Sequence, residues 1–134
     1  MDNTLIRRAI EVRERAYAPY SNFKVGAALL GKSGKIYAGC NVENAAYGPS
    51  NCAERTAFFT AIAQGEREFQ AIAIVGGKEA IEEYVTPCGV CRQVMMEFCN
   101  PQNFFIIIAK SETDYKKYTL EQLFPKGFGS CYIK

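Results

Sequence analysis

Three cysteines stand at the starts of two segments that have the pattern of helices. Cys52 precedes residues 53–64, a small and apolar run that contains no helix breaker and is followed by a glycine. Cys88 and Cys91 open a second predicted helix at residues 89–98. Helix N-termini carry partial positive charge, which lowers thiol pKa and favours the thiolates that a metal needs. The two helix starts therefore predict a metal site made of cysteines.

The ligand inventory restricts this site further, because the chain contains no histidine. A zinc site must then use Cys, Asp or Glu, and a Ser-His or Cys-His nucleophile pair is excluded. Cys88 and Cys91 are three residues apart in one helical turn, so both sulfurs can face one point. With Cys52 they supply three ligands and leave the fourth zinc position open, as in catalytic sites. Cys99, at the far end of the second helix, is the alternative ligand that would close the site into a structural one.

Glu54 lies two residues after Cys52, in the first turn of a helix that is otherwise apolar. A carboxylate at such a place needs a chemical reason. Beside a zinc-activated water it would take the water's proton and leave a hydroxide nucleophile. We therefore predict that Glu54 is the proton carrier. We interpret the remaining cysteines as small buried hydrophobes, and these are Cys40, Cys99 and Cys131.

Composition narrows the class of protein. The chain has 134 residues, of which 49% are hydrophobic, so we expect one domain, residues 1–134, with one core. No apolar run is long enough to span a bilayer and the N-terminus has no signal-peptide pattern, so we expect a cytoplasmic protein without membrane partners. The net charge is +2 and no basic patch is interleaved with aromatics, which argues against nucleic-acid binding.

Strand patterns alternate with helical ones along the chain. Four helices are predicted. The first carries an apolar stripe from Leu5 to Tyr17 and ends before Pro19, the second and third cover residues 53–64 and 89–98, and the last begins with a capping box at Thr119. The predicted strands are 24–30 and 35–41, joined as a hairpin, then 69–75, 104–109 and 115–118. Too few residues separate the last two strands for a parallel crossover, so that pair should be antiparallel. We expect a three-layer α/β/α fold with a mixed five-stranded sheet.

The two cysteine motifs, Cys52-Ala53-Glu54 and Pro87-Cys88-Gly89-Val90-Cys91, match the signature of the zinc deaminases. Over nearly its whole length the chain resembles the small homotetrameric cytidine deaminases. The matching blocks are APYSNFKVGAA at 18–28, GCNVENAAY at 39–47, CAERTA at 52–57, PCGVCRQV at 87–94 and LFPKGF at 123–128. The resemblance implies one Zn²⁺ per chain and hydrolytic deamination of free cytidine and 2′-deoxycytidine in pyrimidine salvage.

The resemblance also implies roles for individual residues. Asn41 and Glu43 would hold the ribose 3′-hydroxyl, Phe23 would line the pyrimidine and sugar pocket, and the backbone N–H of Ala53 would meet the base carbonyl. Arg55 would hydrogen-bond the zinc thiolates. Three further residues would complete the pocket of a neighbouring subunit in a homotetramer with shared active sites, and these are Ala46, Tyr47 and Phe128.

Other functions share parts of this pattern. A blasticidin-type deaminase also resembles the chain, although Asn41 and Glu43 favour an ordinary nucleoside. By resemblance to those families, a polynucleotide-editing deaminase would have a basic groove and a helix between the last two strands, and this sequence shows neither feature. A non-catalytic zinc or redox module is the alternative from another class, and Glu54 beside an open coordination position argues against it.

Overall fold

The computed structural model describes all 134 residues of the chain. Its helices are α1 (Asp2–Arg13), α2 (Ala53–Ala63), α3 (Gly89–Phe98) and the short α4 (Leu120–Leu123), followed by a 3-10 turn at Ser130–Tyr132. Its strands are β1 (Lys24–Gly31), β2 (Ile36–Cys40), β3 (Phe69–Gly77), β4 (Phe105–Ala109) and β5 (Tyr115–Thr119). None of the helices combines the length and the apolar character that crossing a membrane requires.

The five strands form one mixed sheet in the order β2-β1-β3-β4-β5. Only β3 and β4 are parallel, and the chain between them contains α3, which provides the long crossover that parallel pairing needs. β4 and β5 are antiparallel, with Phe105 opposite Thr119 and Ala109 opposite Tyr115. The predicted hairpin of β1 and β2 and the predicted antiparallel end of the sheet are both confirmed.

Helices cover both faces of this sheet, which confirms the three-layer prediction. On one face α1 buries Leu5, Ile6 and Ala9 against alternate residues of β1, β3 and β4. On the other face α2, α3 and α4 enclose a larger core around Phe58 and Phe104. Because successive strand residues point to opposite faces, the continuous apolar runs of β3 and β4 supply both cores.

Two glycines bring helices unusually close to the sheet. A Cβ built on Gly26 of β1 would lie 2.0 Å from the carbonyl oxygen of Ala9 in α1. A Cβ built on Gly39 of β2 would lie 2.5 Å from the backbone nitrogen of Ala57 in α2. Glycine at these positions therefore lets α1 and α2 pack against opposite faces at backbone distance, which fixes where the N-terminus of α2 lies.

Helix α1 ends earlier than the sequence predicts. It stops at Arg13 rather than continuing to Pro19, so Ala16 and Tyr17 do not extend its apolar stripe. The physical reason is tertiary: Tyr17 pairs with the chain around Val42, donating its N–H to Asn41 O at 3.0 Å and accepting from Glu43 N at 2.8 Å. The chain leaves the helix to make this pairing, which places the residues around position 42 beside the N-terminus of α2.

Arg13 anchors the irregular segment that leads to the second cysteine motif. Its guanidinium is buried and donates to the carbonyl oxygens of Lys24 (3.3 Å), Gly77 (2.8 Å) and Glu79 (3.0 Å). Residues 78–88 form no helix or strand. Arg13 therefore fixes the point at which the chain leaves β3 on its way to Cys88.

Candidate active site

The three predicted cysteine ligands meet where the N-termini of α2 and α3 converge. Cys52 is the N-cap of α2, Cys88 is the N-cap of α3, and Cys91 lies in the first turn of α3. The Sγ atoms of Cys52 and Cys88 are 3.7 Å apart, and those of Cys88 and Cys91 are 3.4 Å apart. All three sulfurs lie within 4.8 Å of one another.

This donor set fits zinc. With Zn–S bonds of about 2.3 Å, the sulfurs of a tetrahedral site lie roughly 3.8 Å apart, close to the observed separations. Cys91 is buried, Cys52 is half-buried and Cys88 is exposed, so the group opens to solvent on one side. Cys99 is the C-cap at the opposite end of α3 and does not join the group. The three cysteines could therefore hold one zinc with a coordination position left for water or substrate.

The cysteines outside this group do not all behave as the sequence predicts. Cys99 is half-buried, and this burial raises the pKa of its thiol. Cys40 is half-buried, and burial raises the pKa of its thiol as well. The prediction is wrong for Cys131, which is exposed because it lies in the 3-10 turn at the surface-exposed C-terminus.

Hydrogen bonding gives Cys52 the character of a thiolate. Hydrogen bonds from Cys91 and from Arg55 lower the pKa of the Cys52 thiol to about 5, against the opposing effect of burial. The pKa of Cys91 is raised by its hydrogen bond to Cys52 and by burial, so in the metal-free chain Cys91 holds the proton between them. The guanidinium Nη2 of Arg55 lies 3.3 Å from Cys52 Sγ, and its Nε is buried without a partner. Arg55 thus brings positive charge to the sulfurs from within the same helix.

Glu54 lies in the first turn of α2, beside this group, and is only 5% exposed. Burial raises the pKa of its carboxyl to about 7, and the nearby charge of Cys52 contributes to the same shift. A carboxyl that titrates near neutrality is well suited to accept and return protons. The buried position of Glu54 is therefore unfavourable for a structural carboxylate and favourable for a proton carrier.

An open cavity of about 520 Å³ is lined by Cys52, Cys88 and Glu54. A volume of this size is typical of sites for small organic molecules. Asn41 and Glu43 form part of its wall, together with Ala53 and Tyr47. The structure thus brings most of the residues expected to contact a nucleoside to one cavity.

Asn41 and Glu43 also organise the segment that precedes β1. Asn41 Oδ1 accepts from Val25 N–H at 2.8 Å, and its Nδ2 donates to Phe23 O at 2.8 Å. Glu43 Oε1 accepts from the backbone N–H groups of Tyr20 (3.0 Å) and Ser21 (3.1 Å). Hydrogen bonds from Ser21 lower the pKa of the Glu43 carboxyl. Asn41 and Glu43 are thus held in fixed orientations, and each side chain keeps unused hydrogen-bonding capacity.

The other predicted contact residues lie at different distances from this cavity. Phe23 lines a neighbouring cavity bounded by residues 76–85, which shares Val85 with the first. Tyr47 lies on the rim and is 73% exposed. Ala46 is exposed, and Phe128, 55% exposed, stacks on Tyr132 away from the cavity. A single chain therefore leaves Ala46 and Phe128 outside its own cavity.

Sequence reasoning missed part of the cavity wall. Val85, Thr86 and Val90 line it, although they belong to or adjoin the irregular segment before α3. Their only sequence signal is nearness to Pro87 and Cys88. The positions of side chains in a segment without periodicity can be predicted only when the contacts that hold the segment are known, and these contacts are with residues remote in sequence.

The chain matches known proteins over most of its length. Residues 1–107 match the family described as the cytidine and deoxycytidylate deaminase zinc-binding region. A cytidine deaminase of Sporosarcina psychrophila is 48% identical over 124 residues, which cover 92% of this chain and 88% of that protein. A cytidine deaminase of Halalkalibacterium halodurans is also 48% identical, over 92% of this chain and 91% of that protein.

Solved structures show the same relationship. The crystal structure of a cytidine deaminase from Burkholderia pseudomallei is similar to this chain with a TM-score of 0.86 and 48% identity, over 96% of this chain and 99% of that one. A cytidine deaminase structure from Mycobacterium tuberculosis has a TM-score of 0.81 and 35% identity, over 95% of this chain and 96% of that one. The similarity therefore extends over the whole sheet and its helices as well as the cysteine motifs.

Proposed function

The chain belongs to the zinc-dependent cytidine deaminase family, and we propose that its substrates are free cytidine and 2′-deoxycytidine. The products would be uridine or 2′-deoxyuridine and ammonia, as in pyrimidine salvage. The observation that carries this proposal is the position of Glu54, buried beside three convergent cysteines at the base of a cavity of nucleoside size.

Glu54 performs the proton transfers of this reaction. Cys52, Cys88 and Cys91 would hold a zinc ion, which would act as a Lewis acid and lower the pKa of the attacking water. Glu54 accepts a proton from the water that attacks C4 and donates it to N3 of the pyrimidine ring. It then accepts the remaining proton of the new C4 hydroxyl and delivers it to the amino group, so that the C4–N bond breaks and ammonia leaves. A carboxyl with a pKa near 7 can make each transfer without a large energetic cost.

Arg55 offsets the charge of the ligands. Three thiolates outnumber the charge of Zn²⁺, and the resulting excess of negative charge weakens a Lewis acid. The guanidinium hydrogen bond to Cys52 would draw electron density from sulfur and so preserve the electrophilic character of a zinc held there.

Backbone and side-chain groups around the cavity hold the substrate. Asn41 and Glu43 bind the ribose 3′-hydroxyl, and Phe23 packs near the pyrimidine and sugar from the adjacent cavity. Ala53 offers its N–H to the base carbonyl, which is consistent with its place as the first residue of α2, where amide groups have no partner within the helix.

The protein assembles as a homotetramer in which neighbouring chains complete each active site. Ala46, Tyr47 and Phe128 are exposed and would contribute to a neighbour's pocket. Tyr17 and Tyr20 are also large and exposed, and their backbones are hydrogen-bonded to the segment that holds Asn41 and Glu43, as expected for a surface that a second copy covers. Residues 1–134 act as one deaminase domain in the cytoplasm, where free thiols persist.

A direct assay tests the substrate. The purified zinc-loaded protein is mixed with cytidine, 2′-deoxycytidine, cytidine monophosphate or blasticidin S, and ammonia release is followed for each. We expect turnover of the two free nucleosides and little of the others. Turnover of blasticidin S alone would assign the chain to the blasticidin-type activity, and no turnover of any compound would support a non-catalytic zinc module.

Complementation tests the shared site. Glu54→Gln and Phe128→Ala chains are each expected to be nearly inactive as homotetramers. Co-expressed chains should regain part of the activity, because some sites would combine an intact Glu54 with an intact Phe128 from a neighbour. Activity no greater than the sum of the separate variants, or a fully active monomer in sedimentation, would refute the shared site.

A further inference from the structure

Arg92 makes two hydrogen bonds that the proposed chemistry does not use. It lies one residue after the ligand Cys91, in α3. Its Nε donates to the carbonyl oxygen of Pro87 at 2.8 Å. Its Nη1 donates to the carbonyl oxygen of Leu123 at 2.5 Å, across a separation of 31 residues. One planar guanidinium thus joins the residue before the ligand Cys88 to the last residue of α4.

The Pro87 carbonyl depends on this contact. Pro87 is buried, lies in the irregular segment 78–88, and has no N–H of its own. No backbone amide donates to its carbonyl. A buried carbonyl without a donor is costly, so the guanidinium both satisfies this group and fixes the peptide that leads directly into Cys88.

Cys88 is the ligand most in need of such support. Cys91 is buried within α3, and Cys52 receives a hydrogen bond from Arg55. Cys88 is exposed, and its sulfur accepts one backbone hydrogen bond, from Cys91 N at 3.5 Å, but no hydrogen bond from a charged side chain. Its position therefore depends on the segment that precedes it.

The C-terminal segment provides the other end of the contact. No backbone amide donates to the carbonyl of Leu123. From the same helix, Gln93 Nε2 donates to Phe128 O at 2.9 Å, so α3 holds both ends of residues 123–128. Leu123 is packed against the main core. It can therefore serve as a fixed point against which Arg92 holds Pro87.

We propose that Arg92 is a positioning residue for zinc, which holds Cys88 in place by fixing the Pro87 carbonyl against the end of α4. The planar guanidinium presents its donors in a rigid fork, so it can satisfy two carbonyls in fixed directions. The inference depends on zinc at the three cysteines and not on the proposed substrates, so it remains testable if those substrates are wrong.

The experiment measures zinc affinity rather than turnover. Full-length Arg92→Ala, loaded with Zn²⁺, is titrated with a chromogenic zinc chelator, and the transfer of metal is compared with wild type. We expect a loss of about 10-fold to 100-fold in zinc affinity, the range found when groups that orient a metal ligand are removed. Wild-type affinity in a folded Arg92→Ala protein would overturn the proposal.

Arg67 provides a matched control. Its Nη1 also contacts two carbonyl oxygens, those of Ile62 at 2.8 Å and Glu66 at 3.1 Å, at the end of α2 away from the cysteines. Arg67→Ala should lower the melting temperature without changing zinc affinity. An equal loss of zinc affinity in Arg67→Ala and Arg92→Ala would show a general effect of stability and overturn the proposal.

A substitution of Gln93 distinguishes the effect of holding Pro87 from the effect of holding the C-terminal segment. Gln93→Ala removes the bond to Phe128 O and leaves Pro87 held, so zinc affinity should stay at the wild-type value. A loss equal to that of Arg92→Ala would place the effect in the C-terminal segment and contradict the proposal. If Arg92→Ala does not fold, Arg92→Gln replaces it, since its amide is too short to span both carbonyls, and the same outcomes apply.

Discussion

Arg55 donates a hydrogen bond to the sulfur of Cys52 at 3.3 Å from within the same helix, one turn further along. The proposed ligand Cys52, the charge of Arg55 and the proposed proton carrier Glu54 therefore all lie at the N-cap or in the first turn of α2. The other two proposed ligands, Cys88 and Cys91, lie at the N-cap and in the first turn of α3. The chemistry of the site is concentrated at two helix starts that the sheet holds side by side.

Zinc content tests the three-cysteine site. Cys88→Ala should lose the metal, because two thiolates remain from a group of three. Cys99→Ala should retain one zinc per chain, because Cys99 lies at the opposite end of α3. Metal analysis of both purified variants measures this difference. Equal loss of zinc would instead indicate a closed four-cysteine structural site.

Glu54→Gln tests the proton carrier. The substitution keeps size and polarity but cannot carry a proton, so we expect a folded, zinc-loaded protein that binds nucleoside. General acid-base catalysis contributes on the order of 10² to 10⁴ in rate, and a group that serves several transfers should cost at least the top of that range. Zinc content, melting temperature and kcat are measured on one preparation.

The control for this substitution is Glu97→Gln, an exposed carboxylate on α3, which should keep normal kcat. If Glu54 were only a structural partner of the helix start, Glu54→Gln would lose stability or metal while its folded fraction stayed active. A folded, metal-loaded Glu54→Gln with near-normal kcat would exclude the proposed mechanism.

The sequence predicts the helices and strands correctly wherever the local sequence pattern and the tertiary contacts favour the same structure. Helix α3 has the predicted bounds because Pro87 and Cys88 mark its start, and the short link from Ala109 to Tyr115 admits only an antiparallel pair. Helix α1 was predicted too long, because the pairing of Tyr17 with the chain around Val42 overrides its helical pattern. Pairing between distant segments leaves no signal in local periodicity.

The same distinction applies to the site. Cys52 and Glu54 are two residues apart, and Cys88 and Cys91 are three residues apart. Local helix geometry is therefore enough to bring the two members of each pair together. The wall formed by Val85 and the anchor formed by Arg92 were missed. Each depends on contacts between segments that are remote in sequence, such as the 31-residue separation of Arg92 and Leu123.

Arg13→Ala should destabilise the protein by removing the donor that holds the chain at the end of β3. The carbonyls of Gly77 and Glu79 would lose a charged donor in a buried place. Unsatisfied buried groups of this kind cost about 1–3 kcal/mol each, so we expect a loss of roughly 2–6 kcal/mol for the two carbonyls. Arg8→Ala, on the exposed face of the same helix, should be near neutral. Melting temperatures of the zinc-loaded proteins measure the difference, and equal values for both variants would contradict this role.

Glu66 should give the stability a dependence on pH in the acid range. Its carboxylate accepts hydrogen bonds from Ser33 and, at 3.1 Å, from the hydroxyl of Tyr37. The bond from Ser33, followed by that from Tyr37, lowers the pKa of the carboxyl in the folded chain. A lowered folded pKa means that the unfolded chain binds the proton more tightly. The stabilisation is therefore fully present above the unfolded pKa of about 4.3 and is lost as pH falls through the folded value.

Glu66→Gln removes this dependence, so the variant should melt below wild type at pH 7 and approach wild type as the pH falls below about 4. Tyr37→Phe should reduce the difference, because one of the two donors that lower the pKa is then absent. Glu83→Gln, an exposed carboxylate in the irregular segment, should follow wild type at every pH. Zinc loss in acid affects all four proteins alike, so the difference between their melting temperatures isolates Glu66. A constant difference between wild type and Glu66→Gln across this range would show that the carboxylate contributes packing against Gly31 rather than charge-dependent hydrogen bonds.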